Sequence, residues 1–223
     1  MTNHDLDREN AYAGDVDAAQ TYILRLDNRE RGDAVRDTYE ARIPTEAFRV
    51  ILASAWSHDH QEVWRAACYE TATLQKWFRF AEFDVSHLPD PVTLWRGGVC
   101  FRDDQHWETP PSLARGLAWS RQRDVACFFA TTWFVTQSRL SGFSNAYPCV
   151  VTVTIPRRYC LAHLRERNED EIIAFTRRLR SHKIDGSDVL VRDVAQFDWR
   201  PSNQQVAEWR LAGNPYAPEK AQK

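Results

Sequence analysis

Leu88-Pro89-Asp90-Pro91-Val92-Thr93-Leu94-Trp95-Arg96-Gly97-Gly98 is where the chain changes character. Pro89 and Pro91 fix their own backbone and push the residues before them away from helix, so the segment opens as a turn. Val92 to Arg96 then alternates as a strand does, and Gly97-Gly98 reads as its end. Upstream the pattern is helical. Ala18, Tyr22, Leu24 and Leu26 recur near turn spacing from Asp15 onward, and Val50, Ile51 and Ala55 repeat the habit. The run Val63, Ala66, Ala67, Tyr69, Leu74, Trp77, Phe78 meets no Gly or Pro. Three or four helices are therefore expected before the first strand.

Downstream, Gly116 to Ser120 is a short apolar segment leading into Asp124-Val125-Ala126-Cys127-Phe128-Phe129-Ala130, whose apolar face suits a buried helix. Tyr147 to Ile155 alternates Val and Thr and is the clearest strand. Leu161 to Arg165 reads as a helical turn, Glu171 to Ala174 as a strand, Phe175 to His182 as a helix and Val189 to Val191 as a last strand. The fold class expected is α+β, with a helical segment over 1–90, a small mixed β core over 91–199 and a C-terminal tail over 200–223. No repeat or low-complexity tract interrupts this order.

The 223 residues are 43% apolar and rich in aromatics, a composition that folds. A net charge of -2 does not recruit polyanions in bulk. No window approaches the ~18 apolar residues of a membrane span, and the start lacks the basic and apolar runs of a secretory signal. The expectation is a cytoplasmic protein with no membrane partner. Cys68, Cys100, Cys127, Cys149 and Cys160 form no C-x-x-C pair and read as reduced thiols. His58 and His60 flank Asp59, and the spacing reads as a polar turn between helices, with no third ligand nearby.

Three segments in order carry the chemical signal: Leu94-Trp95-Arg96-Gly97-Gly98, Trp119-Ser120-Arg121 leading to Ala130, and Glu169-Asp170-Glu171-Ile172-Ile173. Together they resemble the arginine-serine-glutamate class of mono-ADP-ribosyltransferases, over roughly Pro91 to Asp193. The resemblance implies an enzyme that splits NAD at the nicotinamide–ribose bond and transfers ADP-ribose, with NAD as co-substrate and no metal. Positive charge then develops over the ribose, and a fixed carboxylate stabilises that transition state more than the ground state. Glu171 is the candidate for this carboxylate. If the segment is extended, Glu169 and Glu171 face one cleft and Asp170 points out of it. Glu169 would then orient or deprotonate the acceptor, an arrangement similar to that of members that modify arginine.

Arg96 would grip the pyrophosphate, a task for a planar donor fork that stays charged. Gly97 would let a ligand approach the backbone, and Trp95, Trp119, Phe128, Phe129 and Trp133 are candidate rings to stack on nicotinamide, Trp119 and Phe129 first among them, although aromatics around a strand-helix unit are more often core. Ser120 departs from the family pattern, whose first serine aligns with Ala118. Either Ser120 takes over the hydrogen bond to Glu171 from this outward position, or something else holds Glu171. As a plain structural residue, Ser120 would cap the following helix.

The resemblance implies a toxin or phage-defence effector with a macromolecular acceptor and an antitoxin-like protein partner. A protein arginine is the favoured acceptor. A nucleic-acid base is the other, since Arg121, Arg123, Arg177, Arg178, Arg180 and Lys183 offer a local phosphate-binding surface or a solvated helix face. The loop Ser138 to Asn145 falls where the family has a mobile loop near NAD. The rival reading is a catalytically silent NAD-binding or protein-interaction module, with Ala118 as the mark of decay.

Overall fold

The computed structural model describes residues 3–102, 107–108, 116–123, 125–127, 129–130, 146–165, 170–175 and 195–196. The chain separates into two compact units, Met1–Asp84 and Val85–Lys223. It is an α+β protein, with helices gathered in the first unit and an antiparallel sheet in the second.

Five helices build the first unit: α1 Asn3–Ala13, α2 Val16–Arg25, α3 Asn28–Glu40, α4 Thr45–Ala66 and α5 Thr71–Phe80. Local chemistry starts them where it should. The Asp15 carboxylate accepts the Ala18 amide at 2.9 Å and caps α2. Asp27 and Glu30 form a reciprocal capping box at the head of α3. Helix α1 lay outside the helical pattern, because Ala11 is the only apolar residue of this polar stretch that is fully buried.

The uninterrupted apolar run from Val63 to Phe78 is two helices and not one. Cys68 and Tyr69 take left-handed backbone, φ 53° and 58°, so α4 stops at Ala66 and α5 restarts at Thr71. At Asp59 the backbone also leaves helical geometry, with φ -156° and ψ 89°, where the sequence suggested a polar turn. His58 Nδ1 pairs with the Ser54 carbonyl at 2.8 Å, and the His60 ring lies 5.7 Å from that of Trp56. Phe48, Ile51, Trp56, Trp77 and Phe78 are buried here, Trp56 and Phe78 meeting edge to face at 5.1 Å.

The second unit is a seven-stranded sheet: β1 Val92–Arg102, β2 Trp107–Glu108, β3 Ala118–Ser120, β4 Ala146–Ile155, β5 Cys160–Leu164, β6 Glu171–Ala174 and β7 Ala195–Gln196. The order is β5-β6-β3-β1-β4-β7, with β2 paired to β1. Every pairing among the described residues is antiparallel, where a mixed core was expected. Between β5 and β6 the reason is plain: residues 165–170 are too few for the crossover of a dozen or more that a parallel pair requires.

Two expectations are corrected here. β1 does not end at Gly97-Gly98 but continues to Arg102, paired with β4 from Val92↔Ile155 to Phe101↔Ala146. Leu161 to Arg165 is not a helical turn. Cys160, Ala162 and Leu164 are buried at alternate positions of a strand, and the turn precedes it at Arg157–Tyr159. The sequence-based helix at Phe175 to His182, the strand at Val189 to Val191, the loop Ser138 to Asn145 and the tail lie outside the described residues, apart from Phe175.

The sheet has two distinct faces. Val92, Leu94, Trp119, Val151, Val153 and Ile172 pack into one apolar cluster. On the other face Trp95 packs against Ala126, Cys127, Ala130 and Val150, the first three from the helical stretch that follows β3. No helix of the described residues is long and apolar enough to cross a membrane.

Candidate functional site

Three strands in succession carry the residues the sequence singled out. β1 lies beside β3 and β3 beside β6, in register Trp95↔Ser120 and Ser120↔Glu171. Directly opposed residues of antiparallel strands project to the same side, so Trp95, Ser120 and Glu171 share one face. Ser120 is buried at 6% exposure, and Glu171 is partly exposed at the start of its strand. The Ser120 hydroxyl accepts the Gln122 amide at 2.9 Å, so Ser120 helps start the following helix as well as standing opposite Glu171.

Arg96 leaves its strand on the other side. By alternation it shares the face of Val92 and Leu94, and it stands opposite Val151. Its guanidinium then turns toward β3, where Nη1 donates to the Ala118 carbonyl. β1 and β3 pair only at Trp95↔Ser120, and beyond that point the Arg96 side chain takes the carbonyl that a ladder bond would otherwise use. Gly116 makes room for it. A Cβ there would fall 2.1 Å from the guanidinium carbon. The Gly116 carbonyl in turn accepts Trp119 Nε1 at 2.9 Å.

Arg96 Nε is buried and has no hydrogen-bond partner among the described residues, a costly state for a charged group. Burial pulls the guanidinium below its ordinary pKa, and the negative charge of Glu171 pulls it back. Arg96 and Glu171 therefore act on each other electrostatically from opposite faces of the sheet.

Gly97 has a different neighbour from the one its sequence suggested. A Cβ at Gly97 would lie 1.8 Å from the Ala126 carbonyl oxygen and 2.6 Å from the Ala130 nitrogen, so the chain that comes close is the helix backbone. Trp119, a candidate cofactor ring, is 3% exposed and belongs to the apolar cluster. Phe129 is partly buried. Glu169, Phe128, Trp133, Arg177, Arg178, Arg180 and Lys183 lie outside the described residues.

The extended chain that would turn Glu169 and Glu171 to one side is interrupted at Asp170, left-handed with φ 48° ahead of the first residue of β6. Its carbonyl accepts the Arg121 amide at 3.1 Å, and its carboxylate lies 3.8 Å from the Arg121 guanidinium and bonds His163 Nε2. His163 was not among the sequence candidates. Its signal was only a His on a segment read as helical.

No family model, no curated protein and no solved structure matches the chain.

Proposed function

We propose that this protein is an NAD-dependent mono-ADP-ribosyltransferase, and the observation that carries the reading is the Ser120↔Glu171 pairing beside the Arg96 strand. Three residue types far apart in sequence fall on three adjacent strands, Ser120 and Glu171 on one face and Arg96 leaving from the other with its guanidinium turned toward β3. Between the two roles left open for Ser120, this pairing favours the one in which Ser120 holds Glu171.

The reaction follows from the charges. The bond between ribose C1′ and the nicotinamide nitrogen breaks, the electron pair leaves with nicotinamide, and C1′ becomes cationic. Glu171 stabilises that cation. The acceptor nucleophile then bonds C1′ and gives up a proton, for which Glu169 is the base. Arg96 binds the pyrophosphate. Its enclosed Nε is a donor in need of an acceptor, which a phosphate oxygen supplies, while the partial counter-charge of Glu171 keeps the site from being purely cationic.

The favoured acceptor is a protein arginine, the biological setting a cytoplasmic toxin or defence effector, and the restraining partner an antitoxin-like protein. Incubation of the pure protein with labelled NAD and cell lysate tests this reading. Label that is lost on protease treatment supports it; label lost only to nuclease moves the acceptor to a nucleic-acid base, and no label overturns it.

A further inference from the structure

Asp170 spends conformational energy to stand where it does. Left-handed backbone is unfavourable for a residue with a Cβ, less so for Asp than for most, and persists only where the surroundings over-determine it. Here three ties do so. The Arg121 amide donates to its carbonyl at 3.1 Å, the Arg121 guanidinium lies 3.8 Å from Oδ2, and His163 Nε2 bonds Oδ1. Arg121 follows Ser120 and Asp170 precedes Glu171, so the ties close the β3·β6 ladder at the Ser120↔Glu171 pair.

The third tie is itself braced. His163 comes from β5, its side chain is 1% exposed, and the His87 ring meets it edge to edge, with centroids 4.9 Å apart and planes inclined by 22°. His87 Nε2 and His163 Nδ1 are 2.6 Å apart. A hydrogen must lie between them. In the neutral ring that burial favours, His163 Nε2–H goes to Asp170, so Nδ1 accepts and His87 donates.

We propose that Asp170 is a positioning residue, which through Arg121 and the His163–His87 pair fixes the backbone from which Glu171 projects. The proposal rests on the transferase reading for its consequence in catalysis, but the clamp itself is measurable without turnover. A carboxylate displaced by an ångström from a developing cation stabilises it much less, whereas cofactor binding at Arg96 does not pass through Asp170.

The experiment compares the intact chain with Asp170→Gly and Asp170→Asn. Glycine accepts the left-handed backbone freely and removes only the carboxylate, so it separates the clamp from backbone strain. Asparagine keeps an acceptor for His163. Two quantities are read: amide exchange over 171–174, and kcat and KM for nicotinamide release from NAD. Asp170→Gly should speed exchange there about 10-fold and leave that of 45–66 unchanged. It should also lower kcat about 10-fold with KM for NAD changed less than about 2-fold, and Asp170→Asn should restore part of both. Unchanged exchange in Asp170→Gly overturns the clamp whatever the rate does, and faster exchange with wild-type kcat overturns the positioning role. If the intact chain cleaves no NAD, the transferase reading fails by itself, and the exchange result still decides the clamp.

Discussion

Replacing Gly97 by alanine adds one methyl group where β1 comes close to Ala126 and Ala130 of the helical stretch that follows β3. That methyl carbon would stand 1.8 Å from the Ala126 carbonyl oxygen, 2.6 Å from the Ala130 nitrogen and 2.9 Å from the Ala126 carbonyl carbon. All three are backbone atoms, so no rotamer change relieves the clash. The helix must retreat by more than an ångström, and it would then leave Trp95 and Val150, which pack against Ala126, Cys127 and Ala130. Overpacking of a rigid contact costs about 3 kcal/mol, before the lost apolar contacts are added. In calorimetry the transition of the second unit should fall by roughly 10 °C or more. A Gly97→Ala protein that melts within about 2 °C of the wild type would refute the close packing of this helix on β1. It would also return Gly97 to the role of admitting a ligand.

Gly116→Ala makes the opposite prediction. The nearest atoms are the far end of Arg96, at 2.1 to 2.5 Å, and a long side chain can swing away. Stability should change by less than about 1 kcal/mol while NAD affinity, read by calorimetric titration, falls about 10-fold, and unchanged affinity would detach Arg96 from the cofactor. Glu169→Gln should reduce transfer to the acceptor and spare hydrolysis of NAD to free ADP-ribose, both read by product chromatography. A parallel fall in both rates would dissolve the division of labour between the two carboxylates. Arg96→Ala should remove the toxicity that expression of the intact chain is expected to show in a bacterial host. Toxicity that persists without an ADP-ribose adduct in mass spectra would favour a binding module.

What the sequence disclosed and what it hid follow from the range of the interactions involved. Tyr147 to Ile155 was legible because its far half alternates, with Val151, Val153 and Ile155 against the apolar cluster and Thr152 and Thr154 away from it. Glu171 to Ala174 was legible as a short apolar run, Ile172, Ile173 and Ala174 being buried on both faces. Cys160 to Leu164 was not, since Leu161 breaks the contrast between the buried and exposed positions of a five-residue strand. The close approach of a helix at Gly97 was not legible, because the atom nearest a side chain there belongs to Ala126, and only the folded sheet brings that carbonyl near.

The candidate site divides in the same way. That Ser120 stands opposite Glu171 depends on the register of β3 with β6, which neither strand encodes alone. Arg96 was identified by residue type, but its route is tertiary: it leaves on the face of Leu94 and reaches the Ala118 carbonyl through a gap in the ladder. Asp170 was read as an outward-facing residue of an extended strand. Its left-handed backbone is held by Arg121 and His163, from two other strands' ends, and no local pattern announces it.

Glu171 is proposed as the carboxylate that stabilises the ribose cation, and nicotinamide release by the pure protein measures that role most directly. Wild type and Glu171→Gln are compared at saturating NAD, with the β3·β6 pairing of the variant checked by amide exchange. Glutamine keeps the shape and loses the charge, so release should fall ~100-fold or more while the fold is retained. Release by the variant at the wild-type rate would contradict the account.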